Sequence, residues 1–353
     1  MNIADPRIRE RIISPDDTIL TAFKQMDSIY QKLLVILKDE YFVGLVSAGD
    51  IQRAIIRNTP LTAKVSEIIR TNPRLADVST DMETIKNQML EFRMEFMPVV
   101  DKDKRLAGIY FWEDFFGNKK KITRDPLKAK VVIMAGGVGS RLKPITNVIP
   151  KPLIPIGEKS ILEMIMDNFT RIGSSEFILS VNYKSDMIHY YFSQLSNSCY
   201  SIEYIHEDKP LGTAGSLKLL KGKISETFFV TNCDTLIDQD YRDVWKYHKE
   251  NENELTLVSS LKSIDIPYGT ITVGEQGQLL GISEKPTLNY FINAGLYIVE
   301  PHLLDEIPDT FYNITDLIEK IRNRKGKVGV FPVSEGSLVD IGTWDEYMKY
   351  IRK

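Results

Sequence analysis

A glycine-rich stretch with a basic edge is where the residue types of this chain could do chemistry. It follows an apolar run over residues 131–135, which closes with Ala135 and is typical of a buried parallel strand. Three glycines stand within the next four positions: Gly136, Gly137 and Gly139. Their N–H groups can approach an anion closely, while Ser140 adds a hydroxyl group and Arg141 a guanidinium that matches phosphate oxygens. The stretch predicts a phosphate-binding loop, with a plain glycine turn as the alternative.

The spacing of these residues excludes two common phosphate loops. The dinucleotide pattern G-x-G-x-x-G would need glycine where Leu142 stands, and the Walker pattern lacks its Gly-Lys-Ser/Thr. What is present is G-G-x-G-x-R-L-x-P-x-T, followed by Pro150-Lys151-Pro152. This long pattern resembles the signature of the sugar-phosphate nucleotidyltransferases. The resemblance implies that Arg141 contacts the triphosphate of a nucleotide and that Lys151 lies near the reacting phosphates.

The elements that must position these residues alternate between strands and helices from residue 131 onward. Such alternation predicts an α/β fold with a mostly parallel sheet flanked by helices, and the resemblance implies a Rossmann-like nucleotidyltransferase fold. We expect strands over residues 131–135, 177–182, 202–206 and 228–231. Ligands of such sheets bind at the carboxyl ends of the strands, so functional residues should follow these strands.

Glu207 directly follows the strand predicted at residues 202–206. Its segment resembles the base-recognition segment of the family, in which Gly212 and Gly215 would allow close approach of the nucleoside and a helix beginning near Thr213 could present its N–H groups. A carboxylate accepts from the N1–H and N2 amino groups of guanine and pairs poorly with uracil or thymine. We therefore expect GTP as the preferred nucleotide. An exposed glutamate at a strand end is the alternative.

Asp234 follows the strand predicted at residues 228–231. A carboxylate at a strand end beside a phosphate loop is expected to bind Mg²⁺, with a turn-forming aspartate as the alternative. The family places its first metal-binding aspartate here, and the resemblance implies Asp340 as the second. Mg²⁺ is thus the expected cofactor.

A more antiparallel region over residues 255–299 resembles the sugar-binding half of the family. The resemblance implies that residues of this region hold the sugar-1-phosphate, namely Gly269, Glu284, Lys285, Asn293 and Gly295. Gly269 would approach the sugar, Glu284 would accept hydrogen bonds from its hydroxyl groups, and Lys285 would pair with its phosphate. Neutral and acidic acceptors suit a ligand with many hydroxyl donors.

The first third of the chain contains two copies of one pattern, expected over residues 8–60 and 70–117. Each copy reads helix, strand, charged turn, strand, helix, and the pair resembles tandem CBS domains. In that family the motif's aspartate binds the ribose of a nucleotide, which points to Ser47 and Asp50 in the first copy and Asp114 in the second. The resemblance implies an adenine or guanine nucleotide as regulator. Capping of the following helix by the aspartates, in a module that only packs or dimerises, is the alternative.

The composition is that of a two-domain globular protein. With 353 residues, 45 Lys+Arg and 48 Asp+Glu, the chain has a formal charge of -3, which does not favour nucleic-acid or membrane binding. The two cysteines have no C-x-x-C partner, and no apolar leader is seen, so we expect a cytoplasmic protein. We also expect a homo-oligomer. The predicted domains are a CBS pair at 1–120, a charged linker at 121–130 and the transferase domain at 131–353.

The predicted activity is transfer of a nucleotidyl group from an NTP to a sugar-1-phosphate, giving a nucleotide-sugar and pyrophosphate. A guanylyltransferase joined to a CBS pair resembles the glucosamine-1-phosphate enzymes of legionaminic acid biosynthesis, with mannose-1-phosphate guanylyltransferase or another NTP and sugar-1-phosphate pair as the alternative. A non-catalytic nucleotide-sugar sensor is an alternative of another class. Retention of Arg141, Lys151, Asp234 and Asp340 favours the enzyme.

Overall fold

The computed structural model describes residues 5–70, 73–92, 94–116, 126–195 and 199–351. The chain divides into two compact units, Met1–Thr123 and Arg124–Lys353, which are taken separately below. The first five residues of the linker predicted at 121–130 lie outside the described residues. Within the described part, no helix is long and apolar enough to cross a bilayer.

The N-terminal unit contains the repeat that the sequence predicts. Its strands are β1 (Ile12–Ile13), β2 (Leu33–Lys38), β3 (Tyr41–Ser47), β4 (Ala76–Asp77), β5 (Phe96–Val100) and β6 (Leu106–Phe111). Its helices are α1 (Pro6–Arg9), α2 (Ile19–Ser28), α3 (Ala48–Ile56), α4 (Met82–Phe92) and α5 (Trp112–Phe116). Each copy has one three-stranded sheet, β1-β2-β3 or β4-β5-β6, with a parallel first pair and an antiparallel second pair.

The two copies share a core. Val35 and Leu45 of the first copy pack in one buried cluster with Phe96 and Ile109 of the second. A bridge between Tyr41 and Arg105 also joins β3 to the strand region of the other copy. Each copy would leave an apolar sheet face open by itself, so burial against the other stabilises both.

The C-terminal unit is built on a seven-stranded mixed sheet in the order β11-β10-β7-β12-β17-β14-β18. The strands of this unit are β7 (Val131–Met134), β8 (Pro155–Ile156), β9 (Lys159–Ser160), β10 (Glu176–Val181), β11 (Ser201–His206), β12 (Phe228–Asn232), β13 (Thr235–Ile237), β14 (Leu255–Asp265), β15 (Thr270–Val273), β16 (Leu279–Ser283), β17 (Thr287–Val299), β18 (Val328–Val333) and β19 (Leu338–Asp340). Strands β11, β10, β7 and β12 are parallel, and β17 is antiparallel to both β12 and β14. The mixed, mostly parallel α/β fold predicted from the sequence is confirmed.

Helices cover both faces of this sheet. They are α6 (Ile161–Thr170), α7 (Ser185–Gln194), α8 (Gly212–Gly215), α9 (Tyr241–Glu250), α10 (Ile314–Asn323) and α11 (Trp344–Ile351). Along β7, Val131 and Ile133 pack in one buried cluster while Val132 packs in another. Successive side chains of a strand point to opposite faces, so an apolar run with both faces buried is what the sequence of β7 requires. Helix α6 begins with a capping box between Ser160 and Glu163.

One segment leaves this core. Strands β14 and β17 continue as a pair beyond Leu261, which is buried, and strands β15 and β16 form a separate two-stranded hairpin between them. We call residues 262–293 the arm. None of its residues is buried. At its base, Lys262 Nζ lies 2.7 Å from Glu335 Oε1, which ties the arm to the rest of the unit.

Candidate active site

The glycine loop is folded tightly against Lys151. Gly139 has φ +67°, a conformation that disfavours residues with a side chain, and a Cβ built there would lie 2.9 Å from Thr146 Cγ2 and 3.0 Å from Lys151 Cβ. The hydroxyl group of Thr146 donates to the Gly139 carbonyl at 3.0 Å. The loop then turns into a single 3₁₀ turn, Ser140–Leu142, which leaves Arg141 exposed. The absence of a side chain at position 139 therefore lets the loop pack directly against Lys151.

Lys151, which packs against the loop, forms an ion pair with Asp234. The ammonium group of Lys151 contacts Asp234 Oδ2, and the two side chains are only 10% and 13% exposed. Asp234 follows β12, and the next residue, Thr235, pairs with Asp340 across β13 and β19. The N–H of Ile341 donates to the Asp234 carbonyl at 2.8 Å. A short pair of strands thus brings together two aspartates that are 106 positions apart in sequence.

Gly342 marks the point where the charged groups converge. A Cβ built on Gly342 would lie 2.7 Å from Asp340 Oδ1, 3.1 Å from Arg141 Nη2 and 3.4 Å from Asp234 Oδ2. The N–H of Gly342 also donates to Asp340 Oδ1 at 2.7 Å. The missing side chain therefore leaves the space into which three charged side chains of distant segments point. The sequence prediction did not include this glycine.

The donor set at this point fits a hard divalent cation. Two carboxylates, Asp234 and Asp340, face the same small space beside a phosphate-type loop, and Mg²⁺ in such sites takes one or two carboxylates and completes its shell with phosphate and water oxygens. The ammonium group of Lys151 balances the charge of Asp234 within the protein. The arrangement agrees with the metal ligands expected from the sequence, which remain a prediction.

Glu207 is buried, so it is not the exposed strand-end residue of the alternative interpretation. It is 9% exposed, its Oε1 accepts from the Ser180 hydroxyl group at 2.6 Å, and its Oε2 accepts from the Leu211 N–H at 3.2 Å. The side chain of Asn182 donates to the Glu207 backbone carbonyl. Each carboxylate oxygen can accept a further hydrogen bond, so Glu207 is held in one orientation with acceptor capacity remaining. Ser180, on the neighbouring strand, was not predicted.

The segment after Glu207 differs from expectation. The helix expected to begin near Thr213 is a single α-helical turn, α8, followed by a 3₁₀ turn over Ser216–Leu220, and the N–H groups of Ala214 and Gly215 both donate to the carbonyl of Tyr312. A Cβ at Gly212 would lie 2.6 Å from that same carbonyl oxygen. The chain near residue 312 therefore occupies the space that the absence of a side chain at Gly212 leaves open. The N–H groups of Ala214 and Gly215 are already hydrogen-bonded within the protein.

These elements enclose a cleft of about 440 Å³. Among the predicted site residues, those that line it are Gly136, Gly137, Gly139, Ser140, Arg141, Lys151, Glu207, Gly212, Thr213 and Asp234. Ala135 is fully buried beneath the loop, and Gly215 faces Leu211 and Thr310 instead. Asn232, Phe311 and Asn313 also line the cleft, although the sequence analysis did not select them. Phe311 and Asn313 lie on the irregular chain before α10, which no periodicity could have marked.

The predicted sugar residues fall into two groups. Gly295 has φ +72°, and a Cβ there would lie 2.5 Å from Asn232 Nδ2, so Gly295 lies against a residue that lines the cleft. The side chain of Asn293 accepts from the Gly295 N–H at 3.0 Å and donates to the Tyr297 hydroxyl group at 2.7 Å.

Gly269, Glu284 and Lys285 lie on the arm. A Cβ at Gly269 would be 2.9 Å from Glu284 Oε2, so these two residues are neighbours as expected. All three residues are exposed, and none is among the residues that line the cleft. The structure therefore brings together most of the residues predicted to bind the nucleotide, while Gly269, Glu284 and Lys285 lie apart from them.

A thiol in the cleft wall is not set up as a nucleophile. Burial, and then the charge of Asp234, raise the pKa of Cys233 to about 12. A thiol with such a pKa stays protonated near neutral pH, and it is the thiolate that reacts. Cys233 is therefore not a candidate nucleophile of this cleft.

In the N-terminal unit, the motif aspartates take part in helix capping. Ser47 caps α3, and Asp50 completes a capping box with it while also pairing with the guanidinium groups of Arg53 and Arg70. In the second copy, Asp114 accepts from the Phe111 N–H at 2.9 Å and pairs with Arg7 at the same distance. Both carboxylates thus have partners within the protein, which corresponds to the capping alternative. A nucleotide that binds these aspartates must share or displace those partners.

Comparison with known families decides the classification. The Nucleotidyl transferase family model matches residues 130–353, more than half of the chain. The chain belongs to the nucleotidyl transferase family. Within this nucleotidyl transferase, the CBS domain model matches residues 8–57 and 65–117, so the repeat of the N-terminal unit is a CBS pair.

Two curated relatives of this nucleotidyl transferase carry guanylyltransferase names. The chain is 35% identical over 184 residues to the mannose-1-phosphate guanylyltransferase catalytic subunit beta of Dictyostelium discoideum, covering 50% of this chain and 51% of that protein. It is 30% identical over 225 residues to the D-glycero-alpha-D-manno-heptose 1-phosphate guanylyltransferase of Campylobacter jejuni, covering 63% of this chain and 98% of that protein. The chain spans about half to three fifths of the length of the first relatives it matches.

A solved structure extends the likeness to the fold. HddC from Yersinia pseudotuberculosis, in a crystal structure complexed with GMP-PN, has a TM-score of 0.50 and 27% sequence identity to this nucleotidyl transferase. The alignment covers 64% of this chain and 98% of HddC. The shared part therefore amounts to nearly the whole of HddC.

Proposed function

We propose that this chain transfers a guanylyl group from GTP to a sugar-1-phosphate, forming a GDP-sugar and releasing pyrophosphate. The observation that carries the proposal is the cleft, in which the glycine loop, the buried Lys151–Asp234 pair and the buried carboxylate of Glu207 face one space. Glu207 supplies the acceptors that guanine requires, and relatives with guanylyltransferase names support the same choice of base.

In the proposed reaction, an oxygen of the sugar-1-phosphate attacks the α-phosphorus of GTP, and the bond from that phosphorus to the bridging oxygen of the β-phosphate breaks. The attacking phosphate is already anionic near neutral pH, so no side chain has to remove a proton. The protein must align two anions that repel each other and stabilise charge on the leaving pyrophosphate. Arg141 and the loop N–H groups would hold the triphosphate, and Lys151 would lie beside the reacting phosphates.

Asp234 and Asp340 would hold Mg²⁺ in this scheme. The ion would supply charge neutralisation at the phosphate oxygens. The contact of Lys151 with Asp234 holds that carboxylate in place, and the N–H of Gly342 does the same for Asp340. Dependence on Mg²⁺ is itself part of the proposal.

Glucosamine-1-phosphate is the acceptor that we propose, because a guanylyltransferase joined to a CBS pair resembles the glucosamine-1-phosphate enzymes of legionaminic acid biosynthesis. Mannose-1-phosphate is the rival, and the name of the Dictyostelium relative supports it. A regulatory nucleotide at Ser47 and Asp50 is a further proposal, which calorimetry of the full chain with ATP, AMP and GTP would test.

A matrix of nucleotides and sugar phosphates tests the function. Pyrophosphate release would be measured with ATP, GTP, CTP, UTP and dTTP against glucosamine-, mannose-, glucose- and N-acetylglucosamine-1-phosphate, with Mg²⁺ and with EDTA. We expect release with GTP and glucosamine-1-phosphate that EDTA abolishes. A preference for mannose-1-phosphate would replace the acceptor alone, whereas silence in every combination would favour a nucleotide-sugar sensor.

The Asp234→Asn variant tests the metal assignment. It should lower the rate of pyrophosphate release by about 10²-fold or more while nucleotide binding changes much less, because the carboxylate acts mainly on charge that develops during transfer. Asp345→Asn, at the exposed start of α11, is the matched control and should retain the parent rate. Parent-like turnover of Asp234→Asn would show that the metal assignment is wrong.

A further inference from the structure

The arm carries an aliphatic surface that nothing in the described chain buries. On the hairpin, Ile271 pairs with Ile282 across β15 and β16, and the two side chains are 62% and 71% exposed. Val273 pairs with Leu279 beyond a β-bulge of the same strands, and both are also mostly exposed. Side chains that are directly paired, or two positions apart on one strand, lie on the same side, so these four form one face.

The paired extension of β14 and β17 presents a second face of the same kind. Ile264 pairs with Leu288, while Tyr290 and Ile292 follow at spacings of two along β17. All four side chains are more than one third exposed. Folded monomers seldom leave large apolar patches in water, because burial of aliphatic side chains away from water is favourable.

The arm also lacks a core of its own. Strands β15 and β16 pair only with each other, and no residue between positions 262 and 293 is buried. A two-stranded hairpin is at best marginally stable in water and needs a further layer to hold it. Burial of the two apolar faces against another surface would therefore stabilise the hairpin.

We propose that the arm is the interface between two copies of this chain. Eight aliphatic or aromatic side chains, each one third to seven tenths exposed, offer an area on the order of the 800 Å² that each partner buries in a standard interface. A second copy suits these faces because a two-fold interface brings the same patch of both copies together, and a mainly aliphatic face is complementary to itself. The charged side chain on them, Lys262, which pairs with Tyr290 across the strands, is already neutralised by Glu335.

Dimerisation would also complete the acceptor side of the cleft, a consequence that rests on the proposed function. Gly269 immediately precedes β15, and Glu284 and Lys285 immediately follow β16. These residues are exposed and lie outside the wall of the cleft. Packing of the hairpin against a second copy would fix the position of its ends, so association should lower the KM for the sugar-1-phosphate and leave that for GTP unchanged.

Sedimentation velocity of the full chain at micromolar concentration, without substrates, tests the interface. We expect a dimer whose dissociation constant rises at least about a hundredfold in Ile271→Lys/Ile282→Lys, because charged groups would be buried without partners. Ile271→Thr/Ile282→Thr keeps the β-branched shape that strands favour, and it should weaken the dimer by about tenfold. Val78→Lys, which replaces an exposed valine of the N-terminal unit, is the matched control and should dimerise like the parent.

Three outcomes would overturn the proposal. They are a parent that is monomeric, arm variants that dimerise as tightly as the parent, and a Val78→Lys variant that dissociates while the arm variants do not. Failure of the proposed function would look different: a parent without transferase activity would leave the sedimentation result intact. If the parent is an active dimer, the lysine variant should show a raised KM for the sugar-1-phosphate, with the KM for GTP unchanged.

Discussion

At the residue scale, the proposed choice of base depends on a carboxylate held from both sides. Ser180 and the N–H of Leu211 each bind one oxygen of Glu207, so the side chain cannot rotate to suit another base without losing a hydrogen bond. The sequence predicted the position and chemical type of Glu207 because it follows a strand of a parallel sheet. The sequence could not predict Ser180 as its partner, since that contact joins residues on two strands that are 27 positions apart.

Replacing Glu207 by glutamine should weaken the preference for GTP. The amide keeps one acceptor, but its NH₂ group would face a donor of guanine, so we expect kcat/KM for GTP to fall by about 10- to 100-fold. Initial rates of pyrophosphate release with GTP and UTP measure the change. Glu203→Gln, at an exposed position of β11, the strand that precedes Glu207, is the control. An unchanged ratio of GTP to UTP rates would contradict the assignment of Glu207 to the base.

Gly342 should tolerate no side chain. A Cβ would come within 2.7 Å of Asp340 Oδ1, so Gly342→Ala must displace that carboxylate or the backbone. A displacement near 1 Å in such a site can cost about 10²-fold in rate, and we expect at least a tenfold loss of pyrophosphate release with little change in thermal unfolding. Gly281→Ala, where a Cβ would meet open space, should be active at the parent rate. Full activity of Gly342→Ala would show that Asp340 is not needed in its observed position.

At the element scale, the sequence predicted the strands of the parallel sheet closely and missed very short strands and an exposed extension. Strands β7, β10, β11 and β12 were each expected to within a residue at either end, because their side chains pack on both faces of the sheet. The short strands β13 and β19, which join the two aspartates, are too brief to produce a period. The extension of β14 and β17 into the arm was also missed, because an exposed pair of strands has no buried alternation that would mark it.

Strand β14 begins at an ionic cluster that should make the stability of the unit sensitive to acid. Hydrogen bonds from Arg324, reinforced by His302, lower the pKa of Glu254 from 4.5 to about 2. The guanidinium of Arg324 also binds Glu306, so the nearby carboxylates are already neutralised by a cation of the protein. Because the folded pKa lies below the unfolded one, this contribution is complete above about pH 4.5 and is lost as the pH falls toward 2.

The Glu254→Gln variant should accordingly lose about 1 kcal/mol of unfolding free energy near neutral pH, and the difference from the parent should shrink near pH 3. Urea unfolding at the two pH values, followed by the fluorescence of the C-terminal unit, measures it. Glu252→Gln removes a carboxylate that is 83% exposed and pairs with Lys327, so it should change little at either pH. An equal loss at both pH values would contradict a charge-based contribution of Glu254.

At the scale of the whole molecule, each of the two units has its own buried core. Each unit has buried clusters of its own among the described residues, and the described residues that line the cleft belong to the C-terminal unit. The sequence predicted both modules from their motifs. It could not predict that the motif aspartates of the CBS pair are engaged by arginines, because Arg70 and Arg7 reach them from outside the motifs.

A fragment of residues 126–353 should therefore keep the transferase chemistry. We expect its kcat/KM to stay within about threefold of the full chain, less than 1 kcal/mol in barrier height, because the cleft loses no lining residue. Pyrophosphate release by the purified fragment measures this, with circular dichroism to confirm that it is folded. A folded fragment without activity would show that the CBS pair is required for catalysis and does more than regulate or pack.

Strand β12 lies between a parallel neighbour, β7, and an antiparallel one, β17. The chain before it supplies the nucleotide loop and Glu207, and the chain after it supplies the arm, which leaves the sheet and returns to it only through β14 and β17. A lineage could therefore lengthen, shorten or exchange the arm without altering the register of the strands that hold the nucleotide. On the proposed assignment, a chimaera that carries another relative's residues in place of 262–293 would inherit a new acceptor while still accepting GTP.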